Sequence, residues 1–287
     1  MASYTSSEAR GRGGEPNHLR RVGLIWLIAS AIATPLVVLL LGPIVPPGNA
    51  SVEAHGQVTD NTVLLGMVTP VIVGIAVYFI YAIVVFRAHG ESVLEGPAVR
   101  GHRGAQIWWI AGTSVTVLFL AGFGSYRLLE DGSGGGQGPS PIAAPAGKAL
   151  QVQVIAQQWQ FTYRYPSYGG VETAQLELPN NQLIEIHVTS LDVTHSFWAY
   201  QLGVKADANP GVDNIAYVTP TKLGSFSIRC SELCGLFHGY MFDTGSVVTS
   251  SAFNSWIAQQ RVIYAPATKV LPPYATTYSP DPQRRSG

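Results

Sequence analysis

The sequence predicts a membrane α-helical anchor, made of a two-helix hairpin plus an extra N-terminal hydrophobic segment, followed by an all-β domain. Three observations lead there. Uncharged apolar runs at 22–41, 62–86 and 105–126 are each near or above the ~20 residues a helix needs to cross a hydrocarbon core. A run rich in Gly and Pro from Asp131 to Pro141 then interrupts regular structure. Beyond it the apolar residues alternate with polar ones, as in half-buried strands. Composition agrees: charged residues are only 12% of 287 and mean hydropathy is +0.20, unusual for a purely cytosolic globule.

In chain order, residues 1–21 form a basic N-terminus carrying Arg10, Arg12, Arg20 and Arg21, expected on the cytoplasmic side. The next segment, 22–42, reads as a signal anchor or a signal sequence. Its length and the lack of a small-residue cleavage site favour retention, and no cysteine directly follows it to carry a lipid. Residues 61–127 are the transmembrane hairpin. Arg87, Arg100 and Arg103 lie between its two runs, so that loop faces the cytoplasm and the domain beyond lies outside. The expected location is a bacterial plasma membrane, multi-pass. Pro35 and Pro70 kink helices in a way that membranes tolerate.

Residues 128–148 are read as a linker, a hinge or spacer that lets the outer domain be positioned independently. The domain covers 149–262. Leu150, Val152 and Val154 alternate with Gln151 and Gln153, and Ile184, Ile186 and Val188 with Glu185 and His187, so His187 is expected to point away from the core. Further strands are predicted at 158–165, 196–200, 214–219, 225–229 and 239–249, which suggests a sandwich or barrel with Greek-key connections. Phe253, Trp256 and Ile257 are spaced for a short closing helix over 251–261. A Pro-rich tail, 263–287, is expected to be flexible. The chain lacks a Cys-x-x-Cys-His sequence, and so a covalently attached haem.

The chemistry is concentrated in one loop. Its sequence, Cys230-Ser231-Glu232-Leu233-Cys234-Gly235-Leu236-Phe237-His238-Gly239-Tyr240-Met241, contains both cysteines of the chain. Thiolate and thioether select copper(I), zinc or iron–sulfur clusters, and imidazole suits copper and zinc. A structural zinc site would use four Cys or His ligands and an iron–sulfur cluster usually four cysteines. Copper is the best fit, against the plainer readings of a Cys230–Cys234 disulfide or two inert buried thiols. His195, in Asp192-Val193-Thr194-His195-Ser196-Phe197, offers a second imidazole. A formal net charge of zero, with no basic patch bearing interleaved aromatics outside the chain ends, argues against nucleic acid as a partner.

The run 192–197, the segment Lys205-Ala206-Asp207-Ala208-Asn209-Pro210-Gly211 and the 230–241 loop together resemble subunit II of the haem–copper cytochrome c oxidases, over roughly residues 60 to 262. The resemblance implies a cupredoxin-like fold for the β domain and a binuclear CuA centre within it. It further implies that Cys230 and Cys234 bridge two coppers, that His195 and His238 each bind one, and that Met241 and the Glu232 carbonyl are weak axial ligands. The Glu232 side chain would reach a magnesium at the interface with subunit I. The resemblance also implies, through a Gln-Trp-x-aromatic run, that Trp159 would receive electrons from cytochrome c, soluble or tethered. Phe161 stands where the family commonly has a second Trp. Ala105 and Gln106 replace a Glu that usually precedes the Ile107-Trp108 pair, and Val212 replaces an arginine after the Pro-Gly turn. The acidic docking surface is thin, with Asp192 and Asp207 kept.

In function, the resemblance implies the electron-input subunit of a proton-translocating oxidase, not catalytic alone. It would accept electrons from cytochrome c and pass them to haem in subunit I, where dioxygen is reduced to water. Its partners would be subunit I, other oxidase subunits and membrane lipid. Two further readings remain: the CuA-bearing subunit of a nitric oxide reductase, and a membrane-anchored copper carrier binding one exchangeable copper(I).

Overall fold

The structure is a computed structural model that describes residues 17–45, 48–87 and 101–268. Arg10, Arg12, Arg100 and the tail from residue 269 onward lie outside the described residues. Among the described residues, three helices are long and apolar enough to cross a membrane: α1 (His18–Leu41), α2 (Val52–Val85) and α3, which is helical over Arg103–Asp131. Their outward Leu, Ile, Val and aromatic side chains are largely uncovered, Trp108 at 80% and Leu118 at 73% among them. Side chains of that kind suit a hydrocarbon surround.

α1 and the part of α2 from Leu64 onward form one compact unit. Within it the Trp26 indole donates to the Pro70 carbonyl (2.8 Å) and His18 Nδ1 meets the Tyr81 hydroxyl (2.7 Å). The remaining described chain forms the second unit, which contains the β domain.

In that second unit α2 starts ten residues before the apolar run, because its first turns serve the β domain. The Ser51 hydroxyl accepts from Ala54 N as a helix cap (2.9 Å) and itself donates to the Leu202 carbonyl (2.6 Å). Thr219 N donates to the buried Glu53 carboxylate (2.9 Å), and Gln57 Nε2 to the Gly203 carbonyl (2.6 Å). At the other end of this stretch Arg127 of α3 pairs with Asp60 of α2 (2.5 Å).

The expected hinge is corrected. α3 continues to Asp131 and a 3-10 turn comes next over Gly132–Gly134. The chain then bonds to the β domain residue by residue. Gly136 N donates to the Lys205 carbonyl (2.9 Å), Gln137 N to Ile215 O (3.0 Å), and Ile215 N returns a bond to Gly138 O (3.1 Å). The glycines allow close approach here rather than freedom: a side chain at Gly134 would collide with the Gly203 carbonyl oxygen.

Among the described residues ten strands form two five-stranded sheets. They are β1 (Leu150–Gln157), β2 (Gln160–Tyr165), β3 (Val171–Thr173), β4 (Glu177–Pro179), β5 (Ile184–Ser190), β6 (His195–Ala199), β7 (Val204–Ala208), β8 (Asn214–Val218), β9 (Gly224–Cys230) and β10 (Phe242–Val248). One sheet is ordered β3-β2-β1-β5-β8 and the other β4-β10-β9-β6-β7. β1 pairs with β5 and β4 with β10 in parallel, and the other pairs are antiparallel. The inward positions of the predicted alternation, Leu150, Val152, Val154, Ile184, Ile186 and Val188, are in the core with Phe161, Phe197 and Ile228.

His187 occupies the opposite side of its strand from those residues, as alternation requires, yet it is only 2% exposed. Its Nδ1 is held by Asp213 (2.9 Å) and its Nε2 by Glu185 (2.9 Å), so a charged pair of neighbours replaces solvent. The closing helix is longer than expected: α4 covers Ser250–Thr268, which makes 263–268 helical instead of tail. Thr249 caps it, with Ala252 N donating to its hydroxyl (3.2 Å). Phe253 and Ile257 are buried, and the Phe253 and Trp256 rings pack on Tyr165 at 5.9 and 5.5 Å.

Candidate metal centre

The ligand residues predicted from sequence come together at one end of the second sheet. β6 starts at His195 and β9 ends at Cys230, and β10 resumes immediately after Met241. β6 and β9 are neighbours, with Phe197 opposite Cys230, so the histidine and the first cysteine are placed by sheet geometry. The loop between β9 and β10 is closed by Cys230 N donating to Met241 O (3.0 Å) and Ser231 N to Ser196 O (3.0 Å). Inside it a 3-10 turn, His238–Tyr240, brings His238 back over Cys234.

All six proposed donor atoms are linked by short contacts. The two sulfurs are 3.6 Å apart and both thiols are free, which rules out the disulfide reading for this structure. Cys230 Sγ lies 3.9 Å from His195 Nδ1 and 3.2 Å from the Glu232 carbonyl oxygen. Cys234 Sγ lies 3.5 Å from His238 Nδ1 and 3.8 Å from Met241 Sδ. Met241 Sδ in turn is 3.1 Å from His195 Nδ1. One ligand atom each from His195, Cys230 and Cys234 falls within 4.8 Å of the others. His195, Cys230, Cys234 and Met241 are buried, whereas His238 is half-buried and the Glu232 side chain exposed.

Burial opposes ionisation of both thiols, but the outcomes differ. At Cys230 the His195 ring and backbone groups of Glu232 and Ser196 outweigh burial and bring the thiol down to about 6. At Cys234 burial and the neighbouring Cys230 sulfur push it up to about 12. A cluster of two free sulfurs, two imidazole nitrogens, a thioether and a carbonyl is a soft donor set. It fits copper, and it exceeds what a four-ligand structural zinc site would use.

Trp159 is half-buried at the rim. Its indole N–H donates to the Cys234 carbonyl (3.2 Å), as does Gln158 Nε2 (2.8 Å), and its ring meets Phe237 edge-on at 4.8 Å. Gly235, next to that carbonyl, has φ +116°. A side chain there would meet the Gln158 amide at 2.9 Å. Phe161 is in the core against Phe197 (5.8 Å). Sequence reasoning missed Gln158 and treated Asp192 only as surface charge. Asp192 in fact stands behind His195, its Oδ1 2.9 Å from Nε2. Spacing carried the signal, since a ligand histidine usually needs a partner on its other nitrogen and Asp192 is three residues away.

Residues 171–248 match the family described as cytochrome c oxidase subunit II, periplasmic domain. The crystallised periplasmic domain of subunit II of cytochrome oxidase from Bradyrhizobium japonicum is 31% identical in sequence, with 99% of it and 42% of this chain covered, at a TM-score of 0.40. The chain belongs to the cytochrome c oxidase subunit II family. With its two five-stranded sheets, the β domain is cupredoxin-like. Among relatives of this subunit, cytochrome c oxidase subunit 2 of Thermostichus vulcanus is 34% identical over 45% of this chain and 38% of its own length. The probable cytochrome c oxidase subunit 2 of Rickettsia bellii is 26% identical over 77% of this chain and 84% of its own. The chain therefore spans less than half of the Thermostichus subunit's length, and the similarity over the larger part of the chain is carried by the Rickettsia subunit.

Proposed function

We propose that this subunit II is the electron-input subunit of a haem–copper oxidase, holding a binuclear copper centre. The observation that carries the reading is the convergence of six soft or weak donors around two free thiols. Cys230, Cys234, His195 and His238 would hold the copper pair, with Met241 and the Glu232 carbonyl as weaker donors beside them. When bound, the copper pair supplies one-electron exchange.

The protein's part is to make that exchange cheap in rearrangement. The ligand loop is tied to β6 by backbone bonds, and the ligand sulfurs lie against the β-sandwich core, which limits water and movement around the site. Trp159 and Phe237 form an aromatic contact at the rim where a cytochrome c, soluble or tethered, would deliver electrons. The exposed Glu232 side chain is free to reach a magnesium at the interface with subunit I, the haem-bearing partner that reduces dioxygen. The three apolar helices support a multi-pass subunit in a bacterial plasma membrane. The positions of Arg20, Arg21, Arg87 and Arg103 support an external β domain.

The test uses the assembled complex. Trp159→Phe is expected to slow reduction by cytochrome c when the rate is taken per bound copper. An unchanged reduction rate would remove Trp159 from the electron-input role. Gas uptake by the same complex separates dioxygen from nitric oxide as the acceptor.

A further inference from the structure

The first sheet carries a second buried layer, on the side that faces away from the sandwich core. Alternation along β1, β5 and β8 turns Ile155, Ile215 and Tyr217 to that side, and all three are buried without joining the core cluster. A polar row crosses the same side through paired positions: Arg164 on β2, Gln153 on β1 and His187 on β5. These three are 1%, 0% and 2% exposed. The Arg164 guanidinium donates to Glu172 (2.8 Å) and to the Gln153 side-chain oxygen (3.3 Å), and His187 is held by Asp213 and Glu185.

The outward face of a strand pair commonly stays wet, so burial this deep calls for a layer laid over it. Among the described residues, α4 packs at the β3 edge, with its Phe253 and Trp256 rings on Tyr165. At the opposite edge, residues 137 and 138 bond along β8. The buried row lies between those two edges. Tyr264, one turn before α4 ends at Thr268, still packs against the core, so the helix hands the chain on beside the β domain.

Residues 269–287 have the length and the chemistry to make that layer. Extended at ~3.1 Å per residue they reach about 60 Å, whereas crossing the five strands takes roughly 20 Å at ~4.8 Å between neighbours. Val270, Leu271, Tyr274 and Tyr278 offer apolar surface. The charges are complementary: Glu172, Glu185 and Asp213, all partly exposed, outnumber Arg164 on the sheet, and Lys269, Arg284 and Arg285 outnumber Asp281 in the segment.

We propose that residues 269–287 are a strap across the outward face of the first sheet. Its apolar side chains cover Ile155, Ile215 and Tyr217, and its cations face the Glu172, Glu185 and Asp213 rim. Such a strap clamps β1 to β2 and β5, and the β1–β2 turn is the one that bears Trp159. The proposal is independent of the metal that the site holds.

Hydroxyl-radical footprinting of the purified full chain in detergent, read by mass spectrometry, tests it. Ile155 and Tyr217 are expected to be protected in the full chain and oxidised several-fold faster in a variant ending at Thr268, while the exposed Phe242 on the other sheet keeps its rate. A synthetic peptide of residues 269–287 should restore protection to the shortened chain. Ile155 and Tyr217 reacting in the full chain as readily as Phe242 would overturn the proposal, as would protection that survives the shortening. Protection lost on dilution of the full chain assigns the face to a second copy, and protection found only in the assembled oxidase assigns it to a partner subunit; either result overturns the strap. Should the shortened chain fail to fold, the full-length double variant Tyr274→Ala, Tyr278→Ala carries the test. It is expected to expose Tyr217 several-fold, and wild-type protection there contradicts the proposal.

Discussion

His195 and His238 are held in opposite ways. His195 opens a strand, is fully buried and has a carboxylate behind it. His238 sits in a one-turn 3-10 segment of the β9–β10 loop, half-buried, with Cys234 as its neighbour. The cysteines divide likewise: Cys230 ends a strand, and Cys234 is placed by a loop whose carbonyl is gripped by Gln158 and Trp159. The difference teaches that sheet register builds half of this centre, and a hydrogen-bonded turn builds the other half. Positions on the sheet side are costly to alter for the fold, whereas positions on the loop side should act mainly on the metal.

The largest expected effect breaks both halves at once. Cys234→Ser removes a proposed bridge, and the chain should lose the two-copper spectrum and hold at most one copper; an intact spectrum would contradict the bridging role. Next, the two histidines should separate in stability. His195→Ala is expected to destabilise the copper-free chain by about 1–3 kcal/mol, because the fully buried ring is removed from its packing and its bond to the partly exposed Asp192 is lost. His238→Ala should stay within about 0.5 kcal/mol, as for ordinary surface changes. Thermal unfolding of the two variants reads the contrast, and equal losses would erase it.

Gly235→Ala probes the loop side. With φ +116°, alanine costs roughly 1–2 kcal/mol in that conformation and presses on the Gln158 amide. The expected result is copper lost more readily to a chelator, with the β domain still folded; unchanged retention would mean that the Gln158 and Trp159 grip on Cys234 is dispensable. Met241→Leu should do least. The swap nearly conserves volume and costs under about 1.5 kcal/mol, so both coppers are expected to stay while the potential, set in part by the axial ligand, shifts. Redox titration of the variant checks this.

The grouping of the candidate donors was legible in sequence because ligand chemistry restricts residue types and because five of the six proposed donors lie within one twelve-residue stretch, Cys230 to Met241. Apolar length likewise exposed the three helices. The missed features share a cause: they depend on contacts between segments far apart in the chain. The first turns of α2, with His55, Gln57, Asp60 and Asn61, are too polar for a hydropathy window, and their helix is fixed by Leu202, Gly203 and Thr219. The glycines of 132–138 read as freedom until their partners on β7 and β8 are known. β3 and β4 are three residues each, too short for alternation to declare itself. His187 obeyed the alternation rule, but its burial depends on Asp213, which comes from another segment.

Copper content measured together with electron paramagnetic resonance on the purified full chain tests the central claim most directly. Two coppers per chain with one unpaired electron shared between them is the expected result. One copper per chain, a spectrum localised on a single ion, or zinc in the site would contradict it.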